Sequence, residues 1–91
     1  MENKNPVEIE LYYTRVCPSC KAMQHLLDEV LPAYGERFRL KRTLASGPLG
    51  YLKTMKLGIH AVPALLINDA IVFRSLPSRQ LLKETLDSFT Q

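Results

Sequence analysis

Ninety-one residues of ordinary apolar content suffice for one layered domain, here expected over 1–91, and leave too little chain for two independent cores. No apolar run approaches ~18 residues, which excludes a membrane-spanning helix. The net charge of +3 is mild, and its main cluster (Arg37, Arg39, Lys41 and Arg42 around Phe38 and Leu40) reads as a protected sheet edge, not a nucleic-acid surface.

Met1 to Pro6 is polar and lacks the charged-then-apolar order of a secretory signal, so a cytoplasmic protein is expected. Val7, Ile9, Leu11 and Tyr13 then alternate with Glu8, Glu10 and Tyr12, the period of a half-buried strand. A helix follows from Pro18, whose missing N–H is harmless at the first helical position. Met23, Leu26, Leu27, Val30, Leu31 and Tyr34 recur at helical spacing and form its core face. Pro32 kinks or ends this helix and Gly35 stops it. Residues 37–43 read as a second strand. Ser46-Gly47-Pro48 opens a shorter helix carrying Leu49, Leu52 and Met55, with Gly58 as a left-handed cap. Residues 64–67 and 70–74 are two short strands around a tight Asn68-Asp69 turn, and a last helix spans about 78–89 with Leu81, Leu82, Thr85, Leu86 and Phe89 as its inner stripe. The order is βαβαββα. Its first unit demands parallel strands with a right-handed crossover and its hairpin is antiparallel, so we expect an α/β fold with a four-stranded mixed sheet and helices on both faces.

The two cysteines of the chain, Cys17 and Cys20, lie in Cys17-Pro18-Ser19-Cys20 at the junction of the first strand and first helix. A thiolate there meets the positive end of the helix, which marks Cys17 as an attacking nucleophile. Cys20, one turn on, can close a disulfide with it and should be the more buried and less acidic of the two. The loop so closed is too small to stabilise the fold appreciably, which points to chemistry and not to a structural staple. His25 and His60 could complete a Cys2His2 set, but their spacing is wrong for a zinc finger and His25 should point away from the cysteines, so no metal is expected. Glu10 reads as a strand-face carboxylate before it reads as a proton acceptor behind Cys20. Met23 and Met55 read as core fillers.

Three segments together resemble the thioredoxin-like superfamily. Tyr12-Tyr13-Thr14-Arg15-Val16-Cys17-Pro18-Ser19-Cys20 is similar to the strand-to-helix site of small glutaredoxins. Gly58-Ile59-His60-Ala61-Val62-Pro63 is similar to the family's cis-proline segment, and residues 78–86 to a thioredoxin's last helix. The resemblance implies the thioredoxin fold, a cis peptide at Val62-Pro63 facing the cysteines, and a substrate chain hydrogen-bonded to the Val62 backbone. It also implies a contact surface of Val16, Ala61, Arg74 and Ser75, to which Arg15, Pro18, Ser19 and Pro63 are added as neighbours of the reacting sulfur. Residues 74–79 lack the Gly-Gly and following acid by which glutaredoxins hold glutathione, while Val16 and Leu11 stand where thioredoxins carry Trp and a buried Asp.

The expected function is a thiol–disulfide oxidoreductase, a reductase in direction, with Cys17 attacking and Cys20 resolving. Its expected partners are a disulfide-containing client protein and a dithiol or glutathione electron donor. It is expected to act as a monomer with no bound cofactor beyond its own redox-active disulfide, glutathione being the co-substrate to consider. Two alternatives are a glutathione-dependent glutaredoxin and a soft-metal carrier, because a CxxC pair also binds Cu(I) through thiolates. Copper carriers of that kind run βαββαβ and place Met where this chain has Arg15.

Overall fold

A computed structural model describes residues 6–89. The polar segment 1–5 and the last two residues lie outside it. The elements are β1 (Val7–Tyr13), α1 (Pro18–Val30), a 3-10 turn (Leu31–Tyr34), β2 (Phe38–Leu44), α2 (Pro48–Leu57), β3 (Ala64–Ile67), β4 (Ala70–Phe73) and α3 (Arg79–Ser88). The strands form a mixed sheet in the order β2-β1-β3-β4. β1 runs parallel to β2 and antiparallel to β3, and β4 is antiparallel to β3. The basic strand β2 is a sheet edge, as its charge pattern predicts.

Strand alternation sends Ile9 and Leu11 of β1, with Leu65 and Ile67 of β3, to one face. There they meet Met23, Leu27 and Val30 of α1 and Leu82 and Leu86 of α3, forming the main core. Burying each such side chain contributes about 1.5–3 kcal/mol relative to leaving it in water. Pro32 ends regular α-helix as expected, and the chain tightens into the 3-10 turn before Gly35 turns it at φ +62°. Tyr34, the last residue of that turn, donates a hydrogen bond to Asp87 Oδ1 at 2.7 Å and packs edge-on against Phe38 at 5.3 Å. The end of α1 is thereby clipped to α3. Ser78 caps α3 by accepting the Leu81 N–H, so the helix proper begins at Arg79. Leu81 is exposed and does not join the inner stripe expected of it; only Leu82 and Leu86 of α3 are fully buried.

The other face is thinner. Tyr12, Ile59, Ala64 and Leu66 are buried there, with Ala45, Val62 and Ile71 packed against them. α2 covers part of this face, but not with the side chains the sequence suggested. Leu49, Leu52 and Met55 are 76 %, 57 % and 63 % exposed, so Met55 is not a core filler. The buried residues of α2 are Gly50 and Thr54. The reason is a close approach: a Cβ at Gly50 would lie 1.9 Å from the Leu44 carbonyl oxygen. Only a residue without a side chain lets the helix sit this near the end of β2, and that requirement fixes which way the helix is rotated. Gly58, at φ +73°, then ends it with its N–H on the Met55 carbonyl.

The hairpin between β3 and β4 turns through Asn68 and Asp69, both at positive φ (53° and 69°), as the pair predicts. Substituting Gly50 by Ala should lower the unfolding free energy by about 1–3 kcal/mol, because the atom it strikes is backbone. Leu49→Ala, on the exposed side of the same helix, should change it by no more than ~0.5 kcal/mol. Urea denaturation of the two variants measures the difference; equal effects would mean that α2 does not approach β2 as described.

Candidate active site

β1 ends at Tyr13, and Thr14 to Val16 carry the chain to the first turn of α1. Cys17 is the N-cap of that helix, in extended conformation (φ −103°, ψ 107°). Its Sγ accepts the N–H of Cys20 at 3.1 Å, and its carbonyl accepts the N–H of Lys21 at 3.3 Å. The sulfur thus occupies the place a Ser or Asp oxygen takes at other helix starts. Pro18, at the first helical position, offers no N–H that would go unsatisfied. The sulfur therefore sits where the partial positive charge of the helix start is concentrated.

Both cysteines are free thiols, but their surroundings differ. Cys17 is partly exposed and Cys20 is fully buried. Burial, then the hydrogen bond with Cys17, push the Cys20 thiol from 9.0 up to about 11, while the backbone of Thr14 pulls the other way. The pair therefore holds one solvent-reachable sulfur and one interior sulfur that keeps its proton at neutral pH. The part played by Thr14 escapes sequence reading because it is a backbone contribution, set by where β1 ends and not by residue type.

Across from the helix start lies the Val62–Pro63 peptide, which is cis. The Val62 carbonyl is 3.9 Å from Cys17 Sγ, a long and weak contact that nonetheless fixes the two segments as neighbours. β3 places them there, since Ala64 pairs with Tyr12 and Pro63 immediately precedes it. Pro63 is buried, Val62 half-buried and Ala61 exposed. Arg15, Val16, Pro18 and Ser19 are exposed around the same loop, Val16 to the extent of 90 %. Arg74 and Ser75 are exposed just beyond β4, at the end of the sheet where β3 begins, because Phe73 pairs with Leu65. They share that end of the molecule with the cysteine pair. Among the described residues neither Arg15 nor Arg74 forms an ion pair.

Glu10 lies on the α2 side of the sheet, opposite to α1, and takes no part behind Cys20. It accepts a hydrogen bond from Thr43 Oγ1 at 2.5 Å. It also faces the Tyr12 hydroxyl, which burial first, and then the charge and hydrogen bond of Glu10, push up to about 12. His25 is exposed on the outer side of α1 in a shallow hollow with Lys21, Gln24 and Asp28, and His60 is exposed as well. No group of three or more His, Cys, Asp or Glu side chains converges among the described residues.

Residues 7–87 match the family model described as the thioredoxin domain. The chain belongs to the thioredoxin family. It is 30 % identical over 81 residues to a thioredoxin of Methanocaldococcus jannaschii, covering 88 % of this chain and 92 % of that protein. Over 81 residues it is 28 % identical to a probable thioredoxin of Methanothermobacter thermautotrophicus, covering 89 % and 93 %. Among solved structures it is similar to malaria-parasite thioredoxin-2, described as a component of the parasite's protein secretion machinery. That likeness has a TM-score of 0.75 at 19 % identity, over 96 % of this chain and 86 % of that one. A second malarial protein superimposes with a TM-score of 0.77 at 16 % identity, over 92 % and 97 %. With the Cys17/Cys20 pair at the start of α1, the protein is a thiol–disulfide oxidoreductase. No helix among the described residues is long and apolar enough to cross a membrane.

The buried thiol gives the reduced protein a pH-dependent stability whose sign is fixed. An unfolded chain releases the Cys20 proton near 9 and the folded one near 11, so this contribution is intact below about 9 and is lost as pH rises towards 11. Tyr12 and Tyr34, both pushed up to about 12, act in the same direction. Urea unfolding of reduced protein at pH 8, 9.5 and 10.5 should therefore show falling stability. Cys20→Ala should lack a share of that fall on the order of 2 kcal/mol. Identical pH profiles for the two proteins would contradict the buried, protonated thiol.

Proposed function

We propose that this thioredoxin-family protein reduces disulfides in client proteins in a reducing, cytoplasmic setting, with Cys17 as the attacking sulfur and Cys20 as the resolving one. One observation carries the assignment: Cys17 Sγ is at once the N-cap of α1, 3.1 Å from the Cys20 N–H, and the more exposed of the two sulfurs. A nucleophile must be reachable and gains from the partial positive charge of a helix start, and Cys17 has the position for both. Cys20 is fully buried, which suits a group that acts only once a substrate is attached.

The Cys17 thiolate attacks one sulfur of a client disulfide. The client S–S bond breaks, a Cys17–client bond forms, and the departing client sulfur takes up a proton. Cys20 then loses its proton and attacks Cys17 Sγ, the Cys17–client bond breaks, and the second client thiol leaves. The enzyme holds a Cys17–Cys20 disulfide, and two electrons have passed to the client. A dithiol donor restores the reduced pair by the reverse exchange. A dithiol fits better than glutathione as donor, because residues 74–79 offer no acid to hold the amino group of glutathione.

A client chain in extended conformation would lie along Val62, whose backbone points towards the attacking sulfur. Arg15, Val16, Pro18 and Ser19 would border it on one side, with Ala61 and Pro63, then Arg74 and Ser75, on the other. Exposed Val16 supplies apolar contact and the two arginines bring positive charge, so clients with an acidic residue near the disulfide are favoured.

Reduction of insulin disulfides by dithiothreitol gives the test. Cys17→Ser should reduce catalysis to the background rate. Cys20→Ser should stop after one exchange and accumulate a covalent adduct, visible as a mass increase that reductant removes. Comparable retention of turnover in both variants would refute the assignment.

A further inference from the structure

Five of the eight large apolar side chains that stand exposed among the described residues lie on the ten-residue helix α2: Leu49, Tyr51, Leu52, Met55 and Leu57. At about 100° per residue, Gly50 and Thr54 face the sheet, while Tyr51, Met55, Leu52 and Leu49 sweep the opposite half of the helix. Ordinary amphipathic helices do the reverse. The close contact at Gly50 prevents the helix from rolling to bury these side chains, since any larger inward group would strike the Leu44 carbonyl. The outward apolar face is therefore a permanent feature of the native state, and contiguous exposed apolar surface of this kind marks an interaction site.

Charge narrows the occupant. α2 contains Lys53 and Lys56 and no acidic residue, and neither lysine forms an ion pair among the described residues. Both fall on the Leu49 flank, and the Tyr51 flank carries no charge. Arg39 and Lys41 on the same side of the sheet stand in register beside Glu8 and Glu10, with Arg39 and Glu8 at 3.8 Å, so the net positive charge next to this face is that of Lys53 and Lys56. A second copy docked antiparallel across this face would set these lysines against themselves. A ten-residue helix is about 15 Å long, and one side of it falls far below the ~600 Å² per partner of even a small stable interface, so this face does not build a permanent dimer and a partner docked on it binds transiently. A bilayer is the poorer match as well, because interfacial helices carry their basic residues along an exposed polar face, and α2 has its other face buried.

We propose that the outer face of α2 docks a protein partner whose surface presents apolar side chains flanked by acidic ones, with Leu52 as the central anchor and Lys53 and Lys56 as the charge contacts. Tyr and Met suit the role, since both are enriched where proteins meet. This docking is independent of the thiol chemistry and does not rest on the reductase reading.

The probe is a synthetic amphipathic peptide with leucines on one helical face and glutamates on the other, alongside a twin carrying lysines for glutamates. Binding to the reduced protein and to Cys17→Ser is followed by fluorescence anisotropy, and the site is located by backbone amide shifts. The expected result is binding of the acidic peptide alone, equal in both proteins, with shifts concentrated at 49–56. Leu52→Glu should weaken it at least tenfold, and Lys53→Glu/Lys56→Glu should weaken it severalfold while admitting the lysine twin. Unchanged urea midpoints in these variants show that the fold is intact. The proposal is overturned if neither peptide binds, if both bind alike, or if Leu52→Glu leaves binding unchanged. It is equally overturned if sedimentation shows a homodimer that Leu52→Glu abolishes, or if phosphatidylserine vesicles bind through this face while the acidic peptide does not.

Discussion

Everything at the active end of this molecule depends on one hydrogen bond, from the Cys20 N–H to Cys17 Sγ at 3.1 Å. The bond uses the sulfur of the reactive residue as the cap of its own helix. It holds the sulfur at the positive end of α1 and at the surface, while the same turn carries Cys20 into the interior. Geometry and reactivity are therefore one property. A helix start without Cys17 would lose both its cap and its nucleophile.

Around that bond the sheet acts as a frame. β1 delivers the loop before α1, and the antiparallel pairing of Tyr12 with Ala64 brings Val62 and Pro63 to face it. No side-chain network is needed to join the two segments, because strand register sets their distance. The differing fates of the two cysteines also follow from the frame. Desolvation is the largest influence on Cys20, and no carboxylate contributes to it. Glu10, the nearest acid in sequence on β1, is on the far side of the sheet and is engaged by Thr43 and Tyr12.

The two faces of the sheet are built on different physical terms. The α1 and α3 face is a conventional core in which large apolar side chains interdigitate. The α2 face relies on proximity: Gly50 allows backbone to meet backbone, little apolar volume is buried, and the large side chains of α2 are left outside. The result is a thin second layer whose outer surface resembles the inside of another protein.

The sequence by itself determined the order of elements, the mixed sheet, the thioredoxin resemblance and the cysteine pair. The elements follow from local periodicity, from Pro18 at a first helical position and Gly58 at a helix end, and the cysteine pair from its own short spacing, all of which act within a few residues. The orientation of α2 was decided only in three dimensions, and there the periodic reading of Leu49, Leu52 and Met55 failed. Leu81 failed likewise on α3. Hydrophobic spacing says which side chains share a helix face, but how closely that helix approaches its neighbour decides whether the face fits inside, and that distance belongs to residues far apart in the chain. The burial of Cys20, the nearness of Val62 to Cys17 and the opposition of Glu10 to the active end are tertiary facts of the same kind, set by strand register and layer thickness.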